Sequence, residues 1–455
     1  MSEAASSPAN IAPYPSPAVG WYATIILALL YWLSILDRFI ISLLVDPIKR
    51  DMGITDIQFS LLHGFAFAIT FSLFGLVAGS MADRFSRRWV IFASVSIWSL
   101  ATAACGVAQT FWHLLLARVG VGAGEAGLNP SATSMLADLF PRDKLTSATA
   151  VYTIGATVGS GTAYLFGGYI VDLVSQVDIY TLPLIGEIRS WQAVFFIVGV
   201  PGALLSFIIF TFPEPARRNR MEVTDNANGR RSLFDSYGKL ITFMRTHPRF
   251  FACHYSGFMF ASFILVGGAA WYPAHMARTF GWDAGQIGLT LGLTLVASGI
   301  SGKLICGYSV DAMYRRGRRD AQLRWYAICL LIGAPIGILA TTSGNPWVFL
   351  AGTGVFLILL SSLPTCYSSA LNLVTPNELR GAGIAFFSAT AGLIGMAVGP
   401  FLIAFISDRF LDGPSSIGMA IAIMMAIFCP LAAAILGLGC RAMREVAAVA
   451  EQNDT

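Results

Sequence analysis

Residues 114–136 read LLLARVGVGAGEAGLNPSATSML, an apolar run that contains one arginine and one glutamate. Arg118 and Glu125 stand about two helical turns apart, so both side chains project from one face of a helix. Several glycines lie among them and let another helix approach closely. A charge at the middle of a bilayer costs about 2.5–3.5 kcal/mol even on insertion scales, and such residues usually face a cavity or a charged partner.

A second charged pair, Asp37 and Arg38, interrupts the first apolar segment of the chain in the same way. We therefore expect Asp37, Arg38, Arg118 and Glu125 to line one polar cleft inside a bundle of membrane helices. Such a cleft predicts transport of a solute.

The composition excludes a soluble protein. Of 455 residues, 56% are hydrophobic and only 12% are charged, whereas soluble domains average about 25% charged residues. The seven cysteines fall in apolar runs without metal-type spacing such as CxxC, so we expect packing residues, no disulfide framework and no metal site. Residues 1–20 lack lysine and arginine, which predicts a retained first span and no cleaved signal peptide.

Uncharged runs of about 20 residues predict twelve transmembrane helices. Most of the 29 lysines and arginines fall on the side of the membrane that carries both termini, which predicts that the termini are cytoplasmic. A helical apolar spacing between Leu233 and Met244, with Ser232 as N-cap, predicts an amphipathic linker helix. The expected regions are an N-terminal cytoplasmic tail at 1–20, a six-helix bundle at 21–213, a cytoplasmic linker at 214–249, a second six-helix bundle at 250–443 and a C-terminal cytoplasmic tail at 444–455.

The two halves share the pattern GxxxDxxxRR. It occurs as GSMADRFSRR at 79–88 and as GYSVDAMYRR at 307–316, 228 residues later. Pro130 and Pro141 in the first half have counterparts in Pro364 and Pro376. An internal repeat of six-helix halves is typical of carriers that open to each side of the membrane in turn.

These segments resemble a known family. GSMADRFSRR resembles the loop motif G-x-L-A-D-R-x-G-R-K of the major facilitator superfamily, with departures at Met81, Ser86 and Arg88. The RxxxGxG at 118–124 resembles its fourth-helix motif. More narrowly, LDR at 36–38, ARVGVGAGEAG at 117–127, ADLFP at 137–141 and VGSGTAY at 158–164 resemble the Spinster branch, which carries lysolipids and sphingoid phosphates.

The resemblance implies an all-α polytopic membrane protein with twelve helices in two pseudo-symmetric bundles, a bacterial-type member in the inner (plasma) membrane. The Asp37-Arg38 pair and the GEAG at 124–127 also resemble the organic anion:cation symporters. Drug antiporters carry a Gly-Pro motif in helix five, where this chain has Gly159-Ser160, although Gly399-Pro400 occurs in helix eleven.

Asp37 and Glu125 are the candidate proton carriers. Burial favours the neutral form of a carboxyl group and a nearby cation favours the charged form, so a carboxyl whose surroundings change can take up and release a proton. The alternative is a fixed ion pair with Arg38 or Arg118 that locks helix one to helix four. Those two arginines either hold an anionic head group or only neutralise the acids.

The repeated motif predicts a latch on the cytoplasmic side that closes in the outward-facing state and breaks on inward opening. Alternatively, its arginines only determine topology. The latch residues are Gly79, Asp83, Arg84, Arg87, Arg88, Gly307, Asp311, Arg315 and Arg316.

The second half lacks the charges of the first. Alignment of Pro130 with Pro364 places Gly352 opposite Arg118 and Leu359 opposite Glu125. Phenylalanines in neighbouring spans predict an apolar wall of the cleft, which suits the tail of an amphiphile, or else they face lipid and packed neighbours. These are Phe258, Phe260, Phe263, Phe386 and Phe387.

We therefore expect a monomeric, proton-coupled secondary active transporter of a lysophospholipid or sphingoid-type amphiphile, in contact with membrane lipid. No nucleic acid partner, catalytic residue or cofactor besides the proton is expected. Motifs such as HExxH, GxSxG and GxxxxGK[ST] do not occur, which argues against an enzyme or ATP-driven pump. A proton-coupled symporter of small organic anions and an amphiphilic drug/proton antiporter are the alternatives.

Overall fold

The computed structural model describes residues 14–183, 186–217 and 233–454. Helices make up nearly all of it, and one short hairpin joins α8 to α9. In the first half the helices are α1 Pro17–Ile40, α2 Val45–Met52, α3 Asp56–Ser60, α4 Ala66–Arg84, α5 Arg87–Cys105, α6 Phe111–Glu125, α7 Leu128–Leu139, α8 Arg142–Ser175 and α9 Ser190–Leu205, and the strands are β1 Ile179–Leu182 and β2 Gly186–Arg189.

The second half repeats this organisation after a surface helix, α10. Short 3₁₀ segments follow α1 (Ile41–Leu43) and α9 (Ser206–Thr211), and a π-helical segment, Leu61–Phe65, joins α3 to α4. The helices are α10 Leu233–Thr246, α11 Pro248–Phe280, α12 Ala284–Arg315, α13 Ala321–Thr342, α14 Pro346–Leu360, α15 Leu363–Val374, α16 Asn377–Phe410 and α17 Ser416–Asp454.

Ten helical segments among the described residues are long and apolar enough to cross a membrane. Two further predicted spans correspond to α8, whose 34 residues extend about 51 Å, and to α6 followed by α7. The predicted all-α membrane fold is confirmed, and twelve spans are consistent with this arrangement.

Prolines explain why two spans are interrupted at matching places. Pro130 lies near the start of α7 and cannot donate to the carbonyl group of Ala126, and α6 ends just before that residue. Pro364 likewise follows the break between α14 and α15 at Ser361 and Ser362. The repeat predicted from the two prolines therefore corresponds to a shared break in the fourth and tenth spans.

The helices form two bundles. In the first, α1 packs on α8, α5 on α6 and α9, and α4 on α6; in the second, α11 packs on α16 and α17, and α13 on α14 and α17. Between the bundles α8 meets α12, and α16 meets α3 and α4. The predicted linker helix is present as α10, with Leu240 buried against the second bundle, while its expected N-cap Ser232 lies outside the described residues.

The beginning of α1 and the end of α17 define one face of the molecule, which we call the terminal face. Trp21 near the start of α1 contacts Phe140, and Arg444 on α17 pairs with Asp320 before α13. The C-terminal end of α11 meets α2, which follows α1, through Arg278 and Asp46, so the two bundles point the same way. The other end of the molecule is the opposite face. The expected tails are mostly helical where described, since α1 begins at Pro17 and α17 continues to Asp454.

Candidate functional site

The glycines of α6 allow the first bundle to close tightly around its charges. A Cβ on Gly122 would lie 2.6 Å from the carbonyl oxygen of Phe67 on α4, and one on Gly124 would lie 2.5 Å from the backbone nitrogen of Trp98 on α5. A side chain larger than hydrogen would push these helices apart. The predicted close helix approach is therefore present, and it places Arg118 and Glu125 inside the bundle.

Arg38 and Glu125 form an ion pair between α1 and α6. Arg38 Nη2 donates to Glu125 Oε2 at 2.5 Å, and the Ser34 hydroxyl donates to the same oxygen at 2.7 Å. Ser34 and Arg38 are one helical turn apart on α1, so their side chains converge on one acceptor. The second oxygen of Glu125 has no hydrogen-bond partner among the described residues.

Asp37 points toward α5. The Thr102 hydroxyl donates to Asp37 Oδ2 at 2.5 Å, and Oδ1 has no partner in the part of the chain that the structure describes. The charges of Glu125, Arg118 and Arg38 all act on this carboxyl group. Asp37 and Glu125 are thus close enough for the charge of one to affect the other.

Arg118 is fully buried, and none of its guanidinium nitrogens has a hydrogen-bond acceptor among the described residues. Its guanidinium lies 5.8 Å from the centroid of the Phe67 ring, and that of Arg38 lies 4.6 Å from the same ring. Cation–π contact stabilises a cation only modestly. Arg118 is therefore a buried cation whose charge is only partly balanced by the groups around it.

Three of the four charged residues that were expected to line a polar cleft are buried in the first bundle. Asp37 and Glu125 are 1% exposed and Arg118 is not exposed, whereas the Arg38 side chain retains 15% exposure. The close packing of α6 on α4 and α5 encloses the acids and Arg118 within the first bundle. This burial favours the alternative of an ion pair that joins α1 to α6, with Arg38 at its accessible edge.

Sequence reasoning missed the polar and aromatic partners of this cluster. Ser34 could have been found, because it precedes Arg38 by one turn on the same face. Thr102 and Phe67 lie on other helices, and nothing in the sequence distinguishes Phe67 from the other 31 phenylalanines. Only the packing of α4 and α5 brings them to the cluster.

The first copy of the latch motif forms a network inside the first bundle. Buried Arg87 pairs with Asp138 on α7 and with Glu214, whose Oε1 lies 3.1 Å from Arg87 Nε. Glu214 also accepts hydrogen bonds from the backbone N–H groups of Arg87 and Arg88, at the N-terminus of α5, and from the Ser86 hydroxyl. This carboxylate satisfies N–H groups that have no partner within the helix.

Most of the other latch residues are more exposed than Arg87. Gly79 faces open space, Arg84 is exposed, and the side chain of Asp83 lies outside what the structure describes. In the second copy, Gly307 is half-buried and Asp311, Arg315 and Arg316 are exposed. The network of Arg87 connects elements of one bundle, and the latch between states stays a prediction.

The bundles are joined at the opposite face by ions that the sequence analysis did not single out. Arg278 at the end of α11 makes a bidentate pair with Asp56, at 2.7 and 2.8 Å, and also reaches Asp46 at 2.7 Å. Lys49 pairs with Asp56 as well, and the backbone N–H of Ile57 donates to Asp408 on α16 at 3.0 Å. Planar, bidentate pairs of this kind are stronger than single contacts.

Glycines add close contact between the bundles on the same half of the molecule. A Cβ on Gly161 of α8 would lie 2.6 Å from the carbonyl oxygen of Gly292 of α12, and Gly168 packs on Gly288. Nearer the terminal face, the position of Gly299 on α12 is open. The two bundles are therefore in close contact along α8 and α12. At the opposite face, residues of both bundles also line a cavity of about 710 Å³ beside Arg278.

The predicted apolar wall is mostly packed core. Phe258, Phe263 and Phe387 are buried in the second bundle, while Phe260 and Phe386 are half-buried. The Phe387 ring lies 4.2 Å from that of Tyr367, centroid to centroid. For the three buried rings the prediction is wrong, because aromatic pairing inside the bundle takes up the surfaces that were expected to face a cleft.

The fold and these motifs agree with a comparison against known families, in which the model of the Major Facilitator Superfamily matches residues 27–400. The chain belongs to the Major Facilitator Superfamily. It is therefore an integral membrane transporter and not an enzyme, as predicted. A solved structure of a bacterial homologue of the human lysosomal transporter Spinster, in an inward-facing and unoccupied conformation, shares the fold with a TM-score of 0.79 and 24% identity, and the match covers 95% of this chain and 99% of that one.

Three relatives match most of the chain. An MFS-type efflux pump of Mycolicibacterium smegmatis is 28% identical, with 90% of each chain covered. A hexuronate transporter of Bacillus subtilis is 24% identical, with 88% of this chain and 90% of the relative covered. Protein spinster homolog 1 of Xenopus tropicalis is 25% identical, with 86% of this chain and 74% of the relative covered. The predicted resemblance to the Spinster branch is confirmed.

Proposed function

We propose that this transporter moves a lipid-like amphiphile, of lysophospholipid or sphingoid type, by proton-coupled alternating access. We place it in the bacterial inner membrane with both termini cytoplasmic, because most lysines and arginines lie toward the terminal face.

The observation that carries the proposal is the incomplete pairing of the four charged residues on α1 and α6. Among the described residues, Asp37 and Glu125 each have one carboxylate oxygen without a hydrogen-bond partner. None of the three guanidinium nitrogens of Arg118 has one among these residues either. Buried ionised groups are stable only when well paired. A change of partners, or protonation of one carboxyl group, would relieve this deficit and would couple the cluster to the conformation.

The residues described above are sufficient to couple proton uptake to substrate binding. When Glu125 is ionised it holds Arg38 and Ser34, and α1 is tied to α6. Protonation of Glu125 would weaken that ion pair and release the partly exposed Arg38 guanidinium, which can bind an anionic group bidentately. Proton uptake and head-group binding would then be linked through one side chain.

The test is transport by the purified protein in liposomes with an imposed pH gradient. Labelled 1-oleoyl lysophosphatidate, sphingosine, glucuronate and ethidium are offered separately, with and without an uncoupler. We expect gradient-dependent movement of the lysolipid or the sphingoid base, and none in empty liposomes. Movement of glucuronate alone, or of ethidium alone, would refute the amphiphile assignment.

Efflux of amphiphilic drugs is the second candidate. The 28% identity to an MFS-type efflux pump favours it, and the Gly399-Pro400 pair on α16 is compatible with it. A small organic anion as substrate is supported by the hexuronate transporter among the relatives. The ethidium and glucuronate arms of the same experiment distinguish these functions.

A further inference from the structure

A cavity of about 280 Å³ lies where α8 of the first bundle meets α12 and α14 of the second. Three hydroxyl groups and one cation line it, from Ser160, Ser298, Ser361 and Lys303, and Leu295 and Leu357 form apolar walls. None of the four charged residues of α1 and α6 borders it. Among the described residues that line it there is no acidic group.

Lys303 lies deep in a membrane span. It is the single charged residue between Ala284 and Asp311, and it precedes Asp311 by eight residues, or about 12 Å along α12. Leu304 and Tyr308, on the neighbouring face of α12, are 69% and 75% exposed and face the lipid side. Lys303 instead is half-buried and borders the cavity. A cation kept at this depth is typical of a substrate pathway.

Of the hydroxyl groups around Lys303, that of Ser361 is only weakly bonded. Ser361 Oγ lies 3.4 Å from the carbonyl oxygen of Ser298, a long and weak hydrogen bond. The Ser298 hydroxyl donates to the carbonyl oxygen of Thr294, one turn earlier on α12. Ser160 comes from the other bundle, so a ligand that contacts Ser160 and Lys303 together would contact both halves of the protein.

An ammonium group with neighbouring hydroxyl donors is suited to a phosphate or carboxylate group. The cavity is slightly smaller than typical ligand pockets, which begin at about 300 Å³. It can therefore take a head group but not a whole lipid, whose tail would extend out of the cavity along the apolar walls.

We propose that Lys303 binds the anionic head group of the substrate at the seam of the two bundles, with Ser160 and Ser361 as hydrogen-bond donors. This inference rests on the proposed transport of an amphiphile. It adds a head-group contact on the second bundle, in which the counterparts of Arg118 and Glu125 are uncharged residues. The shared chemistry of the ligand is an exposed phosphate or carboxylate group.

The test compares binding to purified wild type, Lys303→Met, Lys303→Arg and Lys144→Met in lipid nanodiscs. Lys144 is an exposed lysine on α8 and controls for the loss of one charge. The probes are 1-oleoyl lysophosphatidate, oleate, mono-oleoylglycerol, glucuronate and inorganic phosphate. We expect Lys303→Met to weaken lysophosphatidate binding at least about tenfold, as for a lost hydrogen bond to a charged group, and Lys303→Arg to retain it within about threefold.

The neutral lipid separates head-group recognition from loss of fold. Mono-oleoylglycerol should bind wild type and Lys303→Met equally, and Ser160→Ala should weaken lysophosphatidate binding about threefold. The proposal would be overturned if wild type and Lys303→Met bound lysophosphatidate with equal affinity. It would also be overturned if Lys303→Met lost affinity for lysophosphatidate and mono-oleoylglycerol to the same extent, or if wild type bound none of the anionic probes. A third outcome is that glucuronate or inorganic phosphate binds in a way that depends on Lys303, while lysophosphatidate does not bind. The ligand would then be a soluble anion, and the proposal of a lipid head group would be overturned.

The two proposals fail in different ways. If wild type moves no amphiphile in liposomes, the proposed function fails whatever the binding result. If wild type moves lysophosphatidate and Lys303→Met does so with unchanged KM, the proposed function stands and the role of Lys303 is refuted.

Discussion

At the residue scale, Arg118 has the least complete surroundings in the first bundle. It is buried against Phe67 and has no hydrogen-bond acceptor among the described residues. The unpartnered oxygens of Asp37 and Glu125 belong to the same cluster. A change in the angle between α1 and α6 would separate Arg38 from Glu125, because these two residues stand on different helices, whereas Arg118 and Glu125 share α6.

Replacement of Glu125 by Gln tests whether this cluster couples protons to transport. The amide keeps the size of the side chain and can still accept from Ser34, but it cannot be ionised between pH 4 and 9. We expect transport driven by a pH gradient to fall at least about tenfold, as for loss of a group essential to proton transfer, and counterflow without a gradient to persist. The measurement is initial uptake in proteoliposomes.

Glu187→Gln is the matched control, because Glu187 is exposed on β2. It should transport like wild type. If Glu125→Gln and Asp37→Asn both retain gradient-driven uptake, the cluster is only a structural ion pair. If both variants lose counterflow as well, the cluster is needed for the conformational change and not specifically for the proton.

At the element scale, the N-terminus of α5 is held by one acidic residue from outside the helix. Glu214 accepts from two backbone N–H groups of α5 and from Ser86, and it also pairs with Arg87. Arg87 in turn reaches Asp138 and the carbonyl oxygen of Pro215. The start of α5, the end of α7 and the segment after α9 are thus fixed to one another at the terminal face.

The pKa of Glu214 makes this connection sensitive to acid. Burial alone would raise that pKa, but the hydrogen bonds from Ser86, Arg87 and Arg88 outweigh burial and lower it below its ordinary value of 4.5. A carboxyl group with a lowered pKa contributes stability above its ordinary pKa, and that stability is lost as the pH falls through the folded-state value. We expect Glu214→Gln to lower stability by about 1–3 kcal/mol at pH 7.

The measurement is thermal unfolding of wild type and Glu214→Gln in detergent between pH 3 and 7. The difference in Tm should be largest at pH 7 and shrink below pH 4.5. Glu445→Gln is the control, since Glu445 forms an exposed pair with Arg441 on α17 and such pairs contribute little. A difference in Tm that stays constant down to pH 3 would contradict the role of the Glu214 charge.

At the scale of the whole molecule, Arg278 connects the two bundles at the opposite face. It holds Asp46 and Asp56 of the first bundle from the end of α11 in the second. The pairs are mostly shielded, with the Asp56 side chain only 3% exposed. Removal of one partner leaves the others with an uncompensated charge, which costs more than loss of an exposed pair.

Arg278→Gln should therefore shift the protein toward the state that is open at the opposite face. Ser42 borders the cavity beside this ion network, and a cysteine at that position should react with a membrane-impermeant maleimide at least about fivefold faster in the Arg278→Gln background. Asp56→Asn should act in the same direction, and the double variant should show less than the sum of the two effects, because both remove one interaction.

Arg189→Gln is the control for this experiment. Arg189 pairs with Asp51 at 2.6 Å near the same face, but both residues belong to the first bundle. Its removal should leave the labelling rate unchanged. Equal acceleration of the labelling rate by Arg189→Gln would mean that loss of any charge at this face loosens the structure. Arg278 would then not specifically hold the two bundles together at the opposite face.

The sequence by itself determined the class of fold. Long apolar runs need a membrane, and the repeated GxxxDxxxRR motif and matched prolines required two similar halves, which the structure has. It also identified the ionisable residues of α1 and α6, because charge in an apolar span is costly wherever the helix lies. It could not decide which surface of α6 faces a cleft, since glycines permit close packing on either side.

Only the tertiary structure decided the partners. Arg38 and not Arg118 binds Glu125, Arg87 is held by Glu214 from 127 residues away, and Arg278 meets Asp56 across the two bundles. Lys303 and Ser160 border one cavity although they stand on different halves of the chain. These pairings depend on the rotation and crossing of helices, which arise from packing between distant segments and leave no periodic pattern in the sequence.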